Sequence, residues 1–192
     1  MTVDWKAEIL GQMEFYWDAH LRPRLEGLTD AEYFWEPVDG CWSLRPDAEG
    51  VLRMDGADPA PEPPPVTTIA WRMFHIGRDI FGVRARAFFG PHEGLEEAQM
   101  WDLRLWPDPP PATAADAIAM LEQTYAHWRE NVSGLDAEEI QEPLGPKGSW
   151  FAEAPMARLV LHLNRELMAH GAEICLLRDL YRAKGLGAEV GR

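Results

Sequence analysis

The segment from Leu159 to Leu180, LVLHLNRELMAHGAEICLLRDL, is an uninterrupted helical pattern that carries ionisable residues on an apolar face. Steps of four and three residues along it give one row: Leu159, Leu163, Glu166, His170, Glu173, Leu177 and Leu180. Such a row is typical of a helix that packs in a bundle. Its polar centre constrains the fold, because a carboxylate or imidazole between leucines must be hydrogen-bonded, neutralised or bound to a metal.

Glu166 and His170 are four residues apart, so their side chains lie on the same face of the helix and can converge on one point. The spacing alone is weak evidence, since 32 of the 192 residues are acidic and six are histidines. From this helix alone, two interpretations stay open. One is a metal site, and the other is a Glu–His hydrogen bond inside a bundle.

The length and composition predict a single folded domain over residues 1–192. The chain is 46% hydrophobic and contains nine tryptophans, which is far from a disordered composition. Its formal net charge of −14 opposes the binding of phosphate backbones, so nucleic acid is excluded as an expected partner. No apolar run is long enough to span a membrane.

The N-terminus and the cysteines indicate a cytoplasmic protein. The first ten residues, MTVDWKAEIL, include acidic residues and lack the apolar stretch of a signal peptide. The two cysteines, Cys41 and Cys175, cannot form a disulfide framework and are expected to be reduced thiols. Cys175 is interpreted as a core residue, whereas Cys41 lies in a loop.

Three further long helices are predicted before Leu159. The first covers residues 4–26, and Pro23 should kink or end it. The second begins at the N-cap residues Thr67 and Thr68 and stops at Gly90, and the third opens at Thr113. Two irregular stretches, about 38–66 and 91–112, are predicted as long loops. The first is either a cover over a pocket or a plain surface connection.

His75 lies in the second predicted helix, outside the apolar stripe. Its row is polar and consists of Thr68, Arg72, His75, Asp79 and Arg86. Periodicity alone therefore favours a surface histidine, unless this strip lines an internal cavity.

A related sequence joins the helices at two places. GLTDAEYFWEP at 27–37 is repeated, with one residue deleted, as GLDAEEIQEP at 134–143. Two helical hairpins with related connections predict an all-α four-helix bundle. In such a bundle the second and fourth helices hold equivalent positions, which brings His75 into consideration beside Glu166 and His170.

The chain resembles the DinB-like four-helix bundle proteins over nearly its whole length. The segments that carry the resemblance are GLTDAEYFWEP, TIAWRMFHIG and NRELMAHGAEI. Within that family they resemble the branch of mycothiol-dependent maleylpyruvate isomerase and related bacterial thiol transferases. The resemblance implies a divalent metal held by one histidine of the second helix and two ligands of the fourth. His75, Glu166 and His170 occupy those three positions.

Two histidines and one carboxylate suit zinc, with nickel as an alternative, and leave coordination positions open. Asp79 and Glu173 are candidates to orient the two histidines. Arg72 and Arg78 are candidates to bind a substrate carboxylate. No residue is assigned as catalytic beyond the metal ligands.

Two functional hypotheses follow. The first is a metal-dependent S-transferase or isomerase that uses a low-molecular-weight thiol, such as mycothiol or bacillithiol, against a small electrophile. The second is a non-catalytic metal-binding bundle with a stress-response or structural role. Neither requires nucleic acid or a membrane, and a homodimer is left open.

Overall fold

Four long helical segments contain most of the core in the computed structural model, which describes residues 3–92 and 94–187. A short helix α2, Asp30–Tyr33, follows the first of them. The long segments are α1, made of Trp5–Tyr16, a π-helical segment Trp17–Leu21 and a turn Arg22–Arg24; α3, made of Ile69–Phe74, a π-helical segment His75–Gly82 and Val83–Phe89; α4, Ala114–Gly134; and α5, Met156–Ala183.

Short side chains start three of the long helices where the sequence predicts helix starts. Asp4, Thr68 and Thr113 each accept a hydrogen bond from a backbone N–H three residues further on, and so cap α1, α3 and α4. Gly90 ends α3 with a φ of 85°, a conformation that glycine adopts without strain. The predicted bounds of the second helix and the predicted start of the third are confirmed.

Each long helix packs against two others. Helices α1 and α3 both contact α4 and α5, so the four segments enclose one core. Trp17 of α1 stacks on Tyr125 of α4 with ring centroids 4.1 Å apart. Fully buried side chains from all four segments complete this core: Met13, Leu21, Phe74, Phe81, Leu121, Trp128, Leu163 and Leu167. The prediction of a helical protein is confirmed at this level.

The predicted loop at 38–66 contains a small antiparallel hairpin, the one departure from helical structure in regular elements of the described residues. Strand β1, Leu44–Pro46, pairs with β2, Leu52–Met54. The Asp47 carboxylate accepts backbone N–H bonds from Glu49 and Val51 and shapes the turn. Strands of three residues are too short to show a period of two, so the sequence does not predict them.

The base of this loop is closed by backbone hydrogen bonds. Trp42 donates to the carbonyl of Val66, and Thr68 donates to the carbonyl of Trp42, both at 2.9 Å. The loop therefore leaves and rejoins the helical body at the first turn of α3. The second predicted loop, 91–112, is irregular where it is described, apart from a 3-10 turn at Leu103–Leu105.

The two repeated connections use their acidic residues differently. In the second copy, Asp136 and Glu139 form a complete capping box, in which each side chain accepts the other's backbone N–H at 2.8 Å. In the first copy, Thr29 accepts the N–H of Glu32, but the Glu32 carboxylate turns into the core. There it accepts a hydrogen bond from Nε of Arg178 at 2.8 Å.

The apolar face of α5 is offset from the predicted row. The residues that face the core are Met156, Leu159, Val160, Leu163, Asn164, Leu167, Gly171, Ile174, Leu177, Arg178 and Tyr181. Glu166, His170 and Glu173 lie at the edge of this face and are half-buried, while Leu180 is 42% exposed. The ionisable residues are therefore beside the core and not at its centre.

Both cysteines are free thiols. Cys41 is buried in spite of its position in a loop, and Cys175 is half-buried against the core. Burial raises the pKa of both thiols, which disfavours the thiolate form. Among the described helices, none has a stretch both long and apolar enough to cross a membrane.

Candidate metal centre

The contact between α3 and α5 brings His75 to Glu166 and His170. One ligand atom from each residue lies within 4.8 Å of the other two. The two imidazole rings meet edge to face, with centroids 5.0 Å apart. The π-helical segment of α3 begins at His75, and π turns are frequent at functional sites.

The two nitrogens of His170 have different partners. Nδ1 lies 2.8 Å from Oε2 of Glu173, and Nε2 lies 3.2 Å from Oε2 of Glu166. When Nδ1–H donates to Glu173, Nε2 carries a lone pair that faces the Glu166 carboxylate. Two acceptors at this distance need a proton or a cation between them, so this pair of atoms fits a metal ion.

His75 is held in a similar way. Its Nδ1 lies 3.0 Å from Oδ2 of Asp79, one turn further along the same helix. Its ring stacks on Trp71 at 5.1 Å, and Trp71 stacks on Trp42 at 5.9 Å. The loop that contains Trp42 thus reaches the site through two stacked indoles, and its role as a cover over a pocket stays a prediction.

Asp79 and Glu173 are both stabilised as carboxylates. Burial would raise the pKa of Asp79, but hydrogen bonds from His75 and Arg78 outweigh burial and hold it below its usual value. The hydrogen bond from His170 lowers the pKa of Glu173, and Arg72 adds to the effect against the opposing burial. Ionised acids at these positions favour a proton on Nδ1 of each histidine and leave Nε2 free to bind a metal.

The structure pairs both predicted anion-binding arginines with these acids. Nε of Arg72 lies 2.9 Å from the Glu173 carboxylate, and its Nη1 lies 3.2 Å from Nδ1 of His170. Nε of Arg78 lies 2.6 Å from Oδ1 of Asp79. Binding of a substrate carboxylate by Arg72 and Arg78 stays a prediction, with each guanidinium already engaged by an acid.

Arg84, which the sequence pattern does not indicate as a site residue, is 4% exposed. Its Nη1 donates to the main-chain carbonyl of Asp79, and its guanidinium lies over the ring of Trp101 at 4.6 Å. Burial lowers its pKa to about 10, against the attraction of Asp79 and Glu166. In a regular helix the residue that follows Asp79 in this row is Arg86. The π-helical segment shifts the register, so that Arg84, five residues after Asp79, lies next to it instead.

A cavity of about 260 Å³ lies beside the candidate ligands, and His75, Asp79, Arg84 and Trp101 contribute to its wall. A second cavity of about 510 Å³ shares Met100 and Trp101 with it. The larger cavity also contacts His162, whose Nδ1 is 3.4 Å from the Glu166 carboxylate. The smaller space therefore borders His75, and the larger one reaches His162 next to Glu166.

Comparison with known proteins identifies a family. The model of the DinB superfamily matches residues 12–174, a range that runs from α1 into α5 and includes all three converging side chains. No curated protein and no solved structure matches the chain.

Proposed function

Because the chain belongs to the DinB superfamily, we propose that its helices form the four-helix bundle of that family, with a divalent metal bound by His75, Glu166 and His170. Members of the superfamily generally bind metals. The observation that carries the proposal is the convergence of the three ligand atoms within 4.8 Å. The hydrogen bonds of Asp79 and Glu173 support it by orienting both imidazoles.

Zinc is the proposed metal and nickel the alternative, because two imidazoles and one carboxylate suit both. Three protein ligands leave at least one position open for a small molecule. The cavity of about 260 Å³ in contact with His75 offers space on that side of the site. These features support a reactive centre more than a closed structural site.

We further propose that the protein is a cytoplasmic S-transferase or isomerase that uses a low-molecular-weight thiol, of the mycothiol or bacillithiol kind. A bound metal would supply acidification of the thiol at neutral pH. The chain itself orients the imidazoles through Asp79 and Glu173. Its two adjoining cavities match a reaction of two small substrates, a thiol and an electrophile. Nucleic acid has no part in the proposal.

A second candidate function is a metal-binding bundle without catalysis. The pairing of Arg72 with Glu173, and of Arg78 with Asp79, favours it. Arginines that are already engaged by acids are less free to bind a substrate. The two candidates share the metal site and differ in whether the cavities bind substrates.

Two measurements test these functions. The first is elemental analysis of protein purified without EDTA, with about one divalent ion per chain as the expected result. The second is incubation of the zinc-loaded and nickel-loaded proteins with mycothiol or bacillithiol and monochlorobimane, scored by formation of the thiol adduct. The variant His75→Ala serves as the control for metal-dependent turnover.

The outcomes separate the candidates. Adduct formation that disappears in the His75→Ala variant supports the transferase. Metal uptake without turnover for either thiol leaves the non-catalytic bundle. Failure to take up zinc or nickel would contradict both.

A further inference from the structure

Arg84 is a buried guanidinium that forms no salt bridge with an acid among the described residues. Its Nη1 donates to the carbonyl of Asp79, whereas its Nε has no hydrogen-bond partner in the part of the chain that is described. Burying a cation is strongly unfavourable unless an anion or several hydrogen bonds compensate for the lost hydration. One carbonyl and the face of Trp101 provide only part of that compensation.

We propose that Arg84 and Trp101 bind the carboxylate of a small anionic ligand in the cavity next to the candidate metal centre. This inference rests on the proposed function, because it assigns the class of the electrophilic substrate. The planar guanidinium matches the geometry of a carboxylate, and stacking on the indole of Trp101 holds the guanidinium in place.

The charges in the cavity wall favour an anion. Arg78 and Asp79 form an ion pair and largely cancel each other. Arg84 is thus the cation in the described wall that forms no salt bridge, and Asp79 and Glu166 attract it only from beyond ion-pair distance. A divalent ion held by His75 and its partners would add further positive charge to the same cavity. A carboxylate placed between Arg84 and that ion would reduce the repulsion between them.

The shape of the cavity limits the ligand. Its volume is about 260 Å³, near the lower end of ligand pockets, which begin at about 300 Å³. The rest of its wall is mainly apolar: Val83, Met100, Trp101 and Leu103. A short carboxylic acid with an apolar body fits this combination. Since His75 and Arg84 line the same cavity, a ligand held by Arg84 would extend toward the candidate metal ligands.

Arg86 provides a matched comparison two residues further along α3. It also lies over an indole, that of Trp106 at 4.3 Å, and donates to a main-chain carbonyl, that of Leu105 at 2.6 Å. Unlike Arg84, it has an acid within ion-pair distance, with Asp108 at 3.8 Å. Replacing Arg86 therefore removes the same kinds of internal contact as replacing Arg84, but leaves the proposed anion site in place.

The test is isothermal titration calorimetry with benzoate and with its neutral analogue benzamide. Wild type, Arg84→Met and Arg86→Met are each compared in chelator-treated and zinc-loaded form. Metal-free protein isolates Arg84, because no ion is then present to hold the carboxylate. We expect wild type to bind benzoate at least about tenfold more tightly than benzamide, the effect of a charged hydrogen bond. Arg84→Met should abolish this preference, and Arg86→Met should retain it.

Equal affinity for benzoate and benzamide in metal-free wild type would overturn the proposal, as would undiminished benzoate binding in Arg84→Met. If Arg84→Met fails to fold, the wild-type comparison still decides the matter, and Arg84→Lys should weaken benzoate binding by losing the planar fork. Failure of the proposed metal site is distinct, because it appears as absent zinc uptake while benzoate binding in metal-free protein is unaffected.

Discussion

Nδ1 of His170 lies 2.8 Å from Oε2 of Glu173, the acid three residues further along the same helix. A carboxylate at this distance favours a proton on Nδ1 of the imidazole and leaves Nε2 facing Glu166. The first prediction concerns this hydrogen bond. The variant Glu173→Gln keeps an acceptor but removes the charge, so the affinity for zinc should fall by about tenfold. Competition with a zinc-binding dye measures it.

A surface acid gives the control for that experiment. Glu122 on α4 pairs with Arg22 at the surface, away from the candidate ligands. The variant Glu122→Gln should leave zinc affinity unchanged. Equal affinities for wild type and Glu173→Gln would show that Glu173 does not act on the metal through His170.

The second prediction separates a metal ligand from a packing residue at Glu166. The variant Glu166→Leu should sharply reduce zinc affinity, because one of three ligands is lost. The metal-free protein should change in stability by less than about 1 kcal/mol, since the residue is half-buried at the edge of the core. Zinc titrations and urea unfolding in EDTA measure the two effects. Unchanged zinc affinity would exclude Glu166 as a ligand.

The third prediction concerns pH. The pKa of Asp79 is lowered in the folded protein, so its ionised form stabilises the fold above the unfolded pKa of about 3.9. That contribution is lost as the pH falls through the lowered pKa. Metal-free wild type should therefore exceed Asp79→Asn in free energy of unfolding at pH 7, with a difference that shrinks below about pH 4. Urea unfolding from pH 7 to pH 3 measures this, and a constant difference would contradict it.

The fourth prediction addresses the ion pair between Glu32 and Arg178, which joins the connection after α1 to the last helix. Arg178 is 1% exposed and also donates to the carbonyls of Arg24 and Glu26. Because Arg178→Met leaves the Glu32 carboxylate buried and unpaired, it should cost about 3–5 kcal/mol of unfolding free energy. The double variant with Glu32→Gln should recover part of that loss.

Urea unfolding of the metal-free proteins measures this difference. The matched surface variant is Arg129→Met, which removes a partner of Glu14 and should cost less than about 1 kcal/mol. A similarly small loss in Arg178→Met would mean that the buried ion pair contributes no more to the free energy of unfolding than the surface pair.

The fifth prediction compares two glycines in the π-helical segment of α3. A Cβ at Gly82 would lie 2.5 Å from the Trp106 ring and 2.8 Å from the carbonyl oxygen of Gly77. A Cβ at Gly77 would instead meet the flexible end of Met120. Gly82→Ala should therefore destabilise the protein by about 1–3 kcal/mol, and Gly77→Ala by less. Thermal unfolding measures both, and the reverse order would be inconsistent with this packing.

Features set by neighbouring residues in the chain could be predicted from the sequence. Thr68, Thr113 and Gly90 act through backbone atoms within a few residues, so their patterns locate the helix ends. The offset of α5 could not be predicted, because Leu180 and Leu177 are equally apolar in the sequence. Only contacts with other helices decide that Leu177 is buried and Leu180 exposed.

At the site, spacing and resemblance together selected the three residues that the fold brings within 4.8 Å. Arg84 could not be found, because a regular helical period puts it outside the row of His75 and Asp79. Only the i to i+5 turn restores it to that row, and no residue type in HIGRDIFG specifies such a turn.

The hydrogen bonds between Trp42 and both Val66 and Thr68 close the base of the hairpin loop, so the loop and the helical body can change independently. Residues between these hydrogen bonds contact α3 beside the site, where Asp55 accepts from the Trp71 indole and Met54 from Arg78, while α3 and α5 hold the histidines in place. Loop closure becomes less favourable by only about 0.6 kcal/mol for each doubling of length. The hairpin can thus be lengthened, shortened or exchanged as an insert without moving His75, Glu166 or His170.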